Sequence, residues 1–479
     1  MHVTSQEFPA NVKGALADVN LQLALAKLPT GLSVKRAEVV KLLPEFDGLR
    51  DAARDIKNHT LAHLDLYMEA YEAKVLASGG HVHFASTAED ARAIVLELCR
   101  SVDAKRVCKG KSMITEEIEL NAHLERAGLQ VTETDLGEYI IQIRGETPSH
   151  IIAPAIHLTK AQVEQDFRRL HTHLPAARQL IEPVQLVDEA RTVLRERFVA
   201  SDIGITGANF LIAETGTSVI VTNEGNGDLT QILPKMHIVV ASIEKLVPTL
   251  EDVSTILRVL ARSATGQEIS TYTTFSTGAR RPGDPDGPAQ YHVVILDNGR
   301  SELLGTELRE VLRCIRCGAC MNHCPVYGAI GGHAYGSVYP GPIGSVLTPS
   351  LAGVAKTADL PHASTFCGRC EEVCPMRIPL PKLLRYWRER HFEAGGGTRT
   401  YRSGLKLWAW AARHPKLYHF GARLGMPVMA WAARRNGSFR WLPMAGGWTK
   451  YRDLAAPQGQ TFQAQWRARQ KLQHRAGRS

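Results

Sequence analysis

Seven cysteines between residues 314 and 374 form two groups with short, regular spacing. The first group has the pattern Cys-x2-Cys-x2-Cys-x3-Cys-Pro, and the second has the pattern Cys-x2-Cys-x3-Cys-Pro. Such spacing lets three thiolates of a group converge on one cubane [4Fe–4S] cluster while the last cysteine reaches a second cluster. The pattern predicts two clusters, and its members are Cys314, Cys317, Cys320 and Cys324, then Cys367, Cys370 and Cys374.

The exchange of the last cysteine between the groups divides the thiolates unequally. We expect cluster 1 to be held by Cys314, Cys317, Cys320 and Cys374, and cluster 2 by Cys324, Cys367 and Cys370. Ser364 stands where a complete second group would have its first cysteine. The fourth ligand of cluster 2 is then Ser364, another side chain such as His323 or His333, water or a partner, unless the cluster takes a three-iron form. Either histidine could also tune a cluster, but neither is favoured as a ligand. Cluster 2 should be the more labile cluster.

Zinc is the main alternative for these cysteines, because Cys-x2-Cys pairs also build structural zinc sites. Zinc motifs use pairs or mixed Cys/His sets, whereas a four-cysteine run followed by a partial copy favours clusters. Forty-two residues separate Cys324 from Cys367, more than a small β-hairpin ferredoxin needs, and a helical pattern follows the second group. The region is therefore predicted to be a helical ferredoxin module that carries electrons between two clusters.

The composition of the 479-residue chain is typical of a soluble protein with several folded domains, since 44% of its residues are hydrophobic and 22% are charged. No apolar run approaches the roughly 20 residues that cross a bilayer, and the first residues lack the pattern of a secretory signal. Cys99 and Cys108 stand apart from the two groups, and we expect both to be small buried side chains. These features predict a cytoplasmic protein.

The elements that position the cysteines follow from hydrophobic periodicity. Residues 1–65 are predicted to be a helical segment, and residues 49–77 follow one continuous helical pattern. Residues 66–300 alternate strands such as HVHFAS, KRVCKG and HIVVAS with helices such as ITEEIELNAHLERAG. This alternation predicts an α/β domain with parallel strands joined by right-handed crossovers.

The rest of the chain divides into the cysteine region and a basic C-terminal region. Residues 301–395 hold the cysteines and begin with a predicted short helix over 302–321, and residues 396–479 form the C-terminal region. From Tyr401 onward the chain has 15 Lys and Arg residues and one acid, a net charge of +14, so the preceding 400 residues carry −5. Six of the seven tryptophans lie there: Trp408, Trp410, Trp431, Trp441, Trp448 and Trp466.

Aromatic and basic residues together suit an anionic membrane surface or an acidic partner subunit. A solvated basic tail is the alternative for this region. Nucleic acid is not expected as a partner, because no recognition module accompanies the charge.

Two loops of the α/β region follow apolar strands, which is where such domains bind ligands. One contains Glu214 and the other Glu224, and these are the two weak candidates for a catalytic carboxylate. Positive charge and a hydroxyl for an anionic substrate could come from Lys109, Lys111 and Ser112. Tight turns with solvated ends are the alternative interpretation of both loops. No dinucleotide, P-loop or flavin motif appears, which favours an electron relay over a complete dehydrogenase.

The segments CIRCGACMNHCPVYGAIGGHAYGSVYPGPIGSVLTP and STFCGRCEEVCPMRIPL resemble closely the iron–sulfur subunit of the lactate-utilisation system, the lactate utilisation protein B family. KGKSMITEEIELN and GITGANFLIAETGTSVIVTNEGN resemble the N-terminal domain of that family, and the resemblance covers essentially the whole chain. It implies a role in oxidising L-lactate to pyruvate, together with a small cysteine-rich subunit and a second protein that has the same α/β domain. It also implies a fold similar to the sugar-isomerase and CoA-transferase group for residues 66–300, and a serine at 364 agrees with the family's pattern.

Three functions stay open at this point. The first is an iron–sulfur relay in a complex that oxidises L-lactate, and the second is a relay for another 2-hydroxy acid such as glycolate. The third is an acyl- or CoA-transferring enzyme whose clusters are structural, which requires a carboxylate such as Glu214 or Glu224. Electrons of a relay must reach an acceptor such as the quinone pool, which would place the protein peripherally on the inner face of the membrane.

Overall fold

The computed structural model describes residues 3–442, 449 and 452–476. Two compact units divide after Ala394. The first unit begins with the helices α1 (Phe8–Ala17), α2 (Val19–Leu25), α3 (Leu32–Lys41), α4 (Phe46–Ala62) and α5 (Leu64–Ala77).

The single helix predicted over residues 49–77 is two helices in the structure. α4 and α5 are separated at His63, whose φ of −129° and ψ of 39° leave the helical conformation. The two helices pack in different cores: Ala53 of α4 lies in the core shared with the cysteine region, and Tyr71 of α5 lies in a core against the parallel sheet. The break lets the apolar face of each helix meet its own core.

Strands and helices alternate through the α/β part, as predicted. The strands are β1 (His81–Ala85), β2 (Arg106–Lys109), β3 (Gln130–Glu133), β4 (Ile203–Thr206), β5 (Phe210–Ile212), β6 (Thr217–Thr222), β7 (Met236–Ser242), β8 (Leu246–Val247), β9 (Tyr272–Ser276) and β10 (Gln290–Leu296). The helices are α6 (Ala88–Ser101), α7 (Met113–Glu117), α8 (Leu120–Arg126), α9 (Leu136–Arg144), α10 (Lys160–Leu170), α11 (Pro183–Val199), α12 (Asn226–Ile232) and α13 (Leu250–Ala264).

The strands form two sheets. The main sheet is parallel, with the order β1-β10-β7-β4-β2-β3. The carboxyl ends of its strands therefore lie along one edge, where ligands of open α/β sheets bind. The second sheet is mixed, with the order β8-β5-β6-β9.

The helix predicted for ITEEIELNAHLERAG is divided into α7 and α8. Glu119 between them has a left-handed backbone with φ 54°. The break places Glu117 beside the buried Arg300, at 2.6 Å, while Leu120 enters the core of the parallel sheet. A buried ion pair and a hydrophobic core thus override the local helical preference.

The cysteine region is built from helices and turns, with no strand among residues 301–394, in agreement with the predicted helical form. Its helices are α14 (Ala319–Asn322), α15 (Pro325–Ile330), α16 (Gly341–Ala352), α17 (Arg369–Glu372) and α18 (Leu380–Glu393). The short helix predicted over 302–321 is wrong: two 3₁₀ turns, Ser301–Leu303 and Arg309–Arg313, precede the first cysteine. A continuous helix cannot form there because Arg316 and Gly318 have left-handed backbones.

One hydrophobic core joins the cysteine region to the α/β part. Phe210 of β5 and Ile256 of α13 pack in the same core as Met321 of α14 and Leu383 of α18. The cysteine loops are therefore fixed against the second sheet and the N-terminal helices rather than carried on a separate domain.

The second unit contains the helices α19 (Arg399–Arg413), α20 (Pro415–Ala433) and α21 (Phe462–Ala476), and a short antiparallel pair, β11 (Ser438–Phe439) and β12 (Leu454–Ala455). Its described tryptophans are exposed: Trp408, Trp410, Trp431, Trp441 and Trp466. Trp448 lies outside the described residues. Among the described helices of the whole chain, none is long and apolar enough to span a membrane.

Candidate metal centres and the adjoining cleft

Four cysteines line one small chamber beneath the α/β part. They are Cys314, Cys317, Cys320 and Cys374, the set predicted for cluster 1. The rest of the wall is largely apolar and includes Ile151, Ile343, Met376, Ile378 and Leu380. Cys320 and Cys374 are buried, and the other two cysteines are partly buried.

The thiols of the two groups lie close enough to interact electrostatically. Burial raises the pKa of Cys320 well above its usual value, and the charges of Cys314, Cys317, Cys374 and Cys370 raise it further. Burial raises the pKa of Cys370 to about 12, with Cys324 as the next cause and Cys367 also contributing. Buried thiolates that repel one another require a positive counter-charge, which bound iron supplies.

The loops that carry the two sets have the same backbone. We call residues 314–320 loop 1 and residues 364–370 loop 2. Each loop has a left-handed residue before its second position and a left-handed glycine after it: Arg316 (φ 58°) and Gly318 (φ 72°) in loop 1, Phe366 (φ 54°) and Gly368 (φ 81°) in loop 2. These residues turn the chain so that side chains of one loop face a common centre.

Ser364 occupies the position in loop 2 that Cys314 occupies in loop 1. The backbone N–H of Arg316 donates a hydrogen bond to Cys314 Sγ at 3.4 Å. In loop 2 the backbone N–H of Phe366 donates to Ser364 Oγ at 3.1 Å. The serine hydroxyl therefore stands where loop 1 has a thiol, and loop 2 presents one sulfur fewer.

The two loops differ in exposure. Loop 1 is covered, and its Gly318 faces His150, because a Cβ on this glycine would lie 3.2 Å from His150 Cε1. In loop 2 Cys367 is exposed, and among the described residues no atom beyond the adjacent residues of the chain lies within 4 Å of the Cβ position of Gly368. Arg388 of α18 covers part of loop 2 by stacking 4.1 Å from the centre of the Phe366 ring. Loop 1 faces the protein interior and loop 2 faces solvent.

N-terminal helices hold the second cysteine group, a contribution that the sequence alone did not reveal. Buried Arg50 of α4 donates to the backbone carbonyls of Glu372 at 2.7 Å and Cys374 at 2.8 Å. Buried Arg36 of α3 donates to the carbonyl of Val373 at 3.2 Å. These contacts join residues more than 300 positions apart, so no local pattern in the sequence signals them.

The two histidines considered as ligands are engaged with protein groups. His323 hydrogen-bonds a backbone carbonyl of α14 at 2.9 Å. His333 lies beside His157 and Glu146, and the potential ligand atoms of the three residues fall within 4.8 Å of one another. Arg144 already pairs with the Glu146 carboxylate at 2.9 Å, so this group forms an ion-pair cluster.

A cleft of about 330 Å³ opens at the carboxyl ends of β2, β4 and β7. This volume lies within the range of small-molecule sites. The cleft is lined by three of the residues that were predicted to bind a ligand: Lys111, Ser112 and Glu224. Burial raises the pKa of Glu224, and the neighbouring charge of Asp135 raises it further.

Lys109 and Glu214 lie elsewhere. Lys109 is fully buried under the sheet edge, with its ammonium 2.8 Å from Glu116 and 2.7 Å from Glu133. Glu214 is exposed in the turn between β5 and β6, where its carboxylate accepts a hydrogen bond from the backbone N–H of Leu250 at 3.2 Å. Of the two carboxylates predicted, the structure brings only Glu224 to the cleft.

The cleft shares a wall with the chamber of the first cysteine set. The residues common to both cavities are Ile151, Ile315, Arg316 and Cys317. A molecule in the cleft therefore lies one layer of side chains from the chamber of the first cysteine set.

A buried ion-pair network lies behind this wall. Arg300 is 2.6 Å from Glu117 and 3.1 Å from Glu244, and Arg316 is 3.2 Å from the other oxygen of Glu244. Burial alone would raise the pKa of Glu244, but the charges of Arg300 and Arg316 lower it to about 2. The Tyr339 hydroxyl donates to Glu117 at 2.7 Å, so the network ties loop 1 to the edge of the parallel sheet.

Sequence comparisons distinguish the α/β part from the cysteine region. Residues 68–296 match the family model of the LUD domain, and residues 310–378 match that of the 4Fe-4S dicluster domain. A lactate utilization protein B of Shouchella clausii is 42% identical over 98% of both chains. The corresponding protein of Geobacillus kaustophilus is also 42% identical over 98% of both chains.

This chain belongs to the lactate utilization protein B family. It is also 40% identical, over 99% of both chains, to the Escherichia coli (strain K12) protein named uncharacterized electron transport protein YkgF. The predicted membership is confirmed, and so is the prediction of two iron–sulfur clusters over structural zinc. The protein is an α/β LUD domain followed by a dicluster domain, and its clusters transfer electrons.

Proposed function

We propose that this protein is the iron–sulfur subunit that takes part in the oxidation of L-lactate to pyruvate within a multi-subunit complex. The relatives named lactate utilization protein B support the substrate. The observation that carries the proposal is the wall shared by the cleft and the chamber of the first cysteine set. Oxidation of lactate releases two electrons and two protons, and two clusters that accept one electron each match the two electrons.

In this proposal cluster 1 is held by Cys314, Cys317, Cys320 and Cys374, and cluster 2 by Cys324, Cys367 and Cys370. The Oγ atom of Ser364 occupies the fourth position of cluster 2, or that cluster has three irons. Cluster 1 adjoins the cleft, whereas the Cys367 side of cluster 2 is open to solvent. Electrons therefore enter at cluster 1 and leave through cluster 2.

The experiment is reduction of the clusters in the anaerobically purified complex, followed by EPR and visible absorption. L-Lactate should reduce the clusters within the time of one catalytic turnover. Glycolate added in place of L-lactate serves as the comparison. Reduction by glycolate without reduction by L-lactate would favour the relay for another 2-hydroxy acid. Reduction by neither acid, in a complex whose clusters dithionite reduces, would contradict the relay.

The alternative of an α/β-domain enzyme with structural clusters is favoured by one observation, the place of Glu224 in the cleft. Glu224→Gln and Glu214→Gln form a matched pair, because Glu214 lies away from the cleft. A relay predicts that both variants keep substantial lactate-dependent reduction of the clusters. Complete loss in Glu224→Gln alone, with clusters that dithionite still reduces, would assign the chemistry to the α/β domain.

We also propose how this subunit meets its surroundings. Companion subunits, one cysteine-rich and one with a second α/β domain, complete the complex, and the fold of the LUD domain is of the sugar-isomerase and CoA-transferase type. The second unit binds an anionic membrane surface, with the rest of the chain in the cytoplasm. Support comes from the exposed Trp408 and Trp410 on α19 and from the 15 basic residues against one acid from Tyr401 onward.

Co-sedimentation of the full-length protein with vesicles tests the membrane contact. The wild type should bind phosphatidylglycerol vesicles but not phosphatidylcholine vesicles. Binding to the phosphatidylglycerol vesicles should fall severalfold when Trp408 and Trp410 are both replaced by Ser. Val199→Ser, at an exposed apolar residue of the first unit, is the control and should bind like the wild type. Equal binding by the double variant would contradict the membrane contact and point to a protein partner.

A further inference from the structure

Arg316 has a buried side chain with one unused donor. Only 9% of its side chain is exposed. The Nη2 atom donates to Glu244 at 3.2 Å, and the guanidinium stacks 5.0 Å from the centre of the Tyr339 ring. The Nη1 atom is buried and has no hydrogen-bond partner among the described residues. A buried donor without an acceptor is costly, so a site is expected where a ligand supplies the acceptor.

Lys245 is a second cation on the same side of the cleft. It follows β7, lines the cleft and is partly buried, and within the described part of the chain its ammonium has no ion pair or hydrogen bond. Arg316 lies near enough that its charge lowers the pKa of Lys245, after the larger effect of burial, to about 8. The signal in the sequence is the place of Lys245 just after the HIVVAS strand, where ligand-binding residues of α/β domains lie.

The surrounding charges leave this pair undercompensated. Glu244 is the carboxylate that contacts Arg316, and it is shared with Arg300. Glu117, the other carboxylate of the network, pairs with Arg300. Lys57, whose ammonium donates to the backbone carbonyls of Glu244 and Leu246, is a further buried cation here. Four cations thus face two buried carboxylates and the thiolate of Cys314, so an anion in the cleft would add to the compensation.

The other charged residues of the cleft restrict the kind of anion. Asp135, Glu224 and Lys111 also line it, and the two negative charges against one positive charge would repel a polyanion such as phosphate more than a monoanion. Asn209, another lining residue, has its amide oxygen fixed by the backbone N–H of Val221 at 2.9 Å, which leaves the amide nitrogen as a donor. One carboxylate with a neighbouring hydroxyl or keto oxygen matches these groups.

We propose that Arg316 and Lys245 bind the carboxylate of a 2-hydroxy acid, and of the 2-oxo acid formed from it, in the cleft beside cluster 1. The inference rests on the proposed function for the identity of the acid, but not for the position of the anion site. The carboxylate adds a negative charge beside Lys245 and accepts the unused hydrogen bond of Arg316.

The competing role for the pair is compensation of the negative charge that four thiolates give to cluster 1. That role would make Lys245 and Arg316 determinants of the reduction potential rather than of ligand binding. The two roles differ in which measurement a substitution changes.

The test uses the full-length protein with both clusters, purified anaerobically and kept oxidised. Calorimetric titration with pyruvate, and separately with inorganic phosphate, gives the dissociation constants. Lys245→Gln should weaken pyruvate binding by about tenfold or more, because a charged hydrogen-bond donor is lost. Lys105→Gln, at an exposed lysine away from the cleft, should bind pyruvate like the wild type. The visible spectrum of each variant confirms that both clusters are present.

Arg316→Lys keeps the positive charge but loses the planar donor edge, and it should also weaken pyruvate binding. No binding of pyruvate by the wild type, equal binding by Lys245→Gln, or tighter binding of phosphate than of pyruvate would overturn the proposal. A changed midpoint potential with unchanged pyruvate binding would assign the pair to cluster 1. If pyruvate binds as expected but L-lactate does not reduce the complex, the anion site stands and the proposed function fails.

Discussion

Loop 1 and loop 2 have left-handed residues at equivalent positions, but the two loops lie in different surroundings. Arg316 of loop 1 points its guanidinium into the buried network at the edge of the parallel sheet, whereas Phe366 of loop 2 stacks on Arg388 near the surface. Loop 1 begins with Cys314 and loop 2 with Ser364, and each side chain accepts the equivalent backbone hydrogen bond. A repeated motif has thus become one enclosed centre next to a cleft and one open centre with a sulfur missing.

This difference suggests a division of work along the electron path. The enclosed loop can exclude water from a reacting substrate, and low exposure stabilises a defined set of ligands around its cluster. The open loop can approach an acceptor closely, as electron transfer between proteins requires. Substitutions made in pairs, one in each loop, test this division.

The largest effect is expected from removing one thiolate of each set. Cys317→Ala should lose cluster 1 and all reduction by L-lactate, because Cys317 lies in the wall between the chamber and the cleft. Cys370→Ala should keep the reduction of cluster 1 but lose transfer to an external acceptor. Iron analysis and EPR should show a loss of about four irons in Cys317→Ala, and of about three or four irons, according to the form of cluster 2, in Cys370→Ala. Cys99→Ala, at a buried cysteine outside both sets, should keep both clusters.

If Cys370→Ala also abolished reduction by L-lactate while cluster 1 remained present, electrons would not enter at cluster 1. Electrons would then reach cluster 2 before cluster 1, or reach both clusters by separate paths.

The second-largest effect is expected in the buried ion-pair network, because this network anchors loop 1 and not loop 2. Arg300→Met leaves Glu117 and Glu244 buried with less compensation, which is expected to lower the free energy of unfolding by about 3–5 kcal/mol. The change is measured by unfolding the cluster-loaded protein in urea and monitoring the unfolding by circular dichroism. Arg191→Met breaks an exposed pair with Asp188 and should cost less than about 1 kcal/mol. Equal effects of the two substitutions would show that the network does not stabilise the fold.

A smaller difference is expected between the matched glycines. Gly318→Ala and Gly368→Ala both place a Cβ on a left-handed backbone, which costs about 1–2 kcal/mol. Gly318→Ala adds a contact with His150 at 3.2 Å, whereas the Cβ at residue 368 meets no atom within 4 Å. The free energy of unfolding should therefore fall more for Gly318→Ala. A larger loss for Gly368→Ala would contradict the tighter packing of loop 1.

Local patterns in the sequence were sufficient for the features that depend on neighbouring residues. The spacing of the cysteines placed Cys314 and Cys317 in one set, and the offset from Cys367 singled out Ser364. Strands of the parallel sheet such as β1, β2 and β7 were predicted from their apolar runs. The assignment of Cys374 to the first set was also predicted, because the exchange of a cysteine between two groups follows from the motif.

Features that depend on distant residues were not predictable. Helices were expected to continue through His63 and Glu119, where packing into separate cores and the burial of Glu117 interrupt them. Glu214 and Glu224 looked equivalent in the sequence, since each follows an apolar strand, but only Glu224 reaches the cleft. The pairing of Arg316 with Glu244 joins residues 72 positions apart, which no local pattern encodes.

The most direct test of the unequal centres is EPR of the anaerobically purified protein before and after limited oxidation with ferricyanide. The wild type should give the signal of a three-iron cluster, up to about one per chain, because cluster 2 has an iron without a thiolate. Ser364→Cys should remove this signal, since it supplies a fourth sulfur at the position equivalent to Cys314. A wild type without any three-iron signal, or a signal that is unchanged in Ser364→Cys, would contradict the four-and-three division of the cysteines.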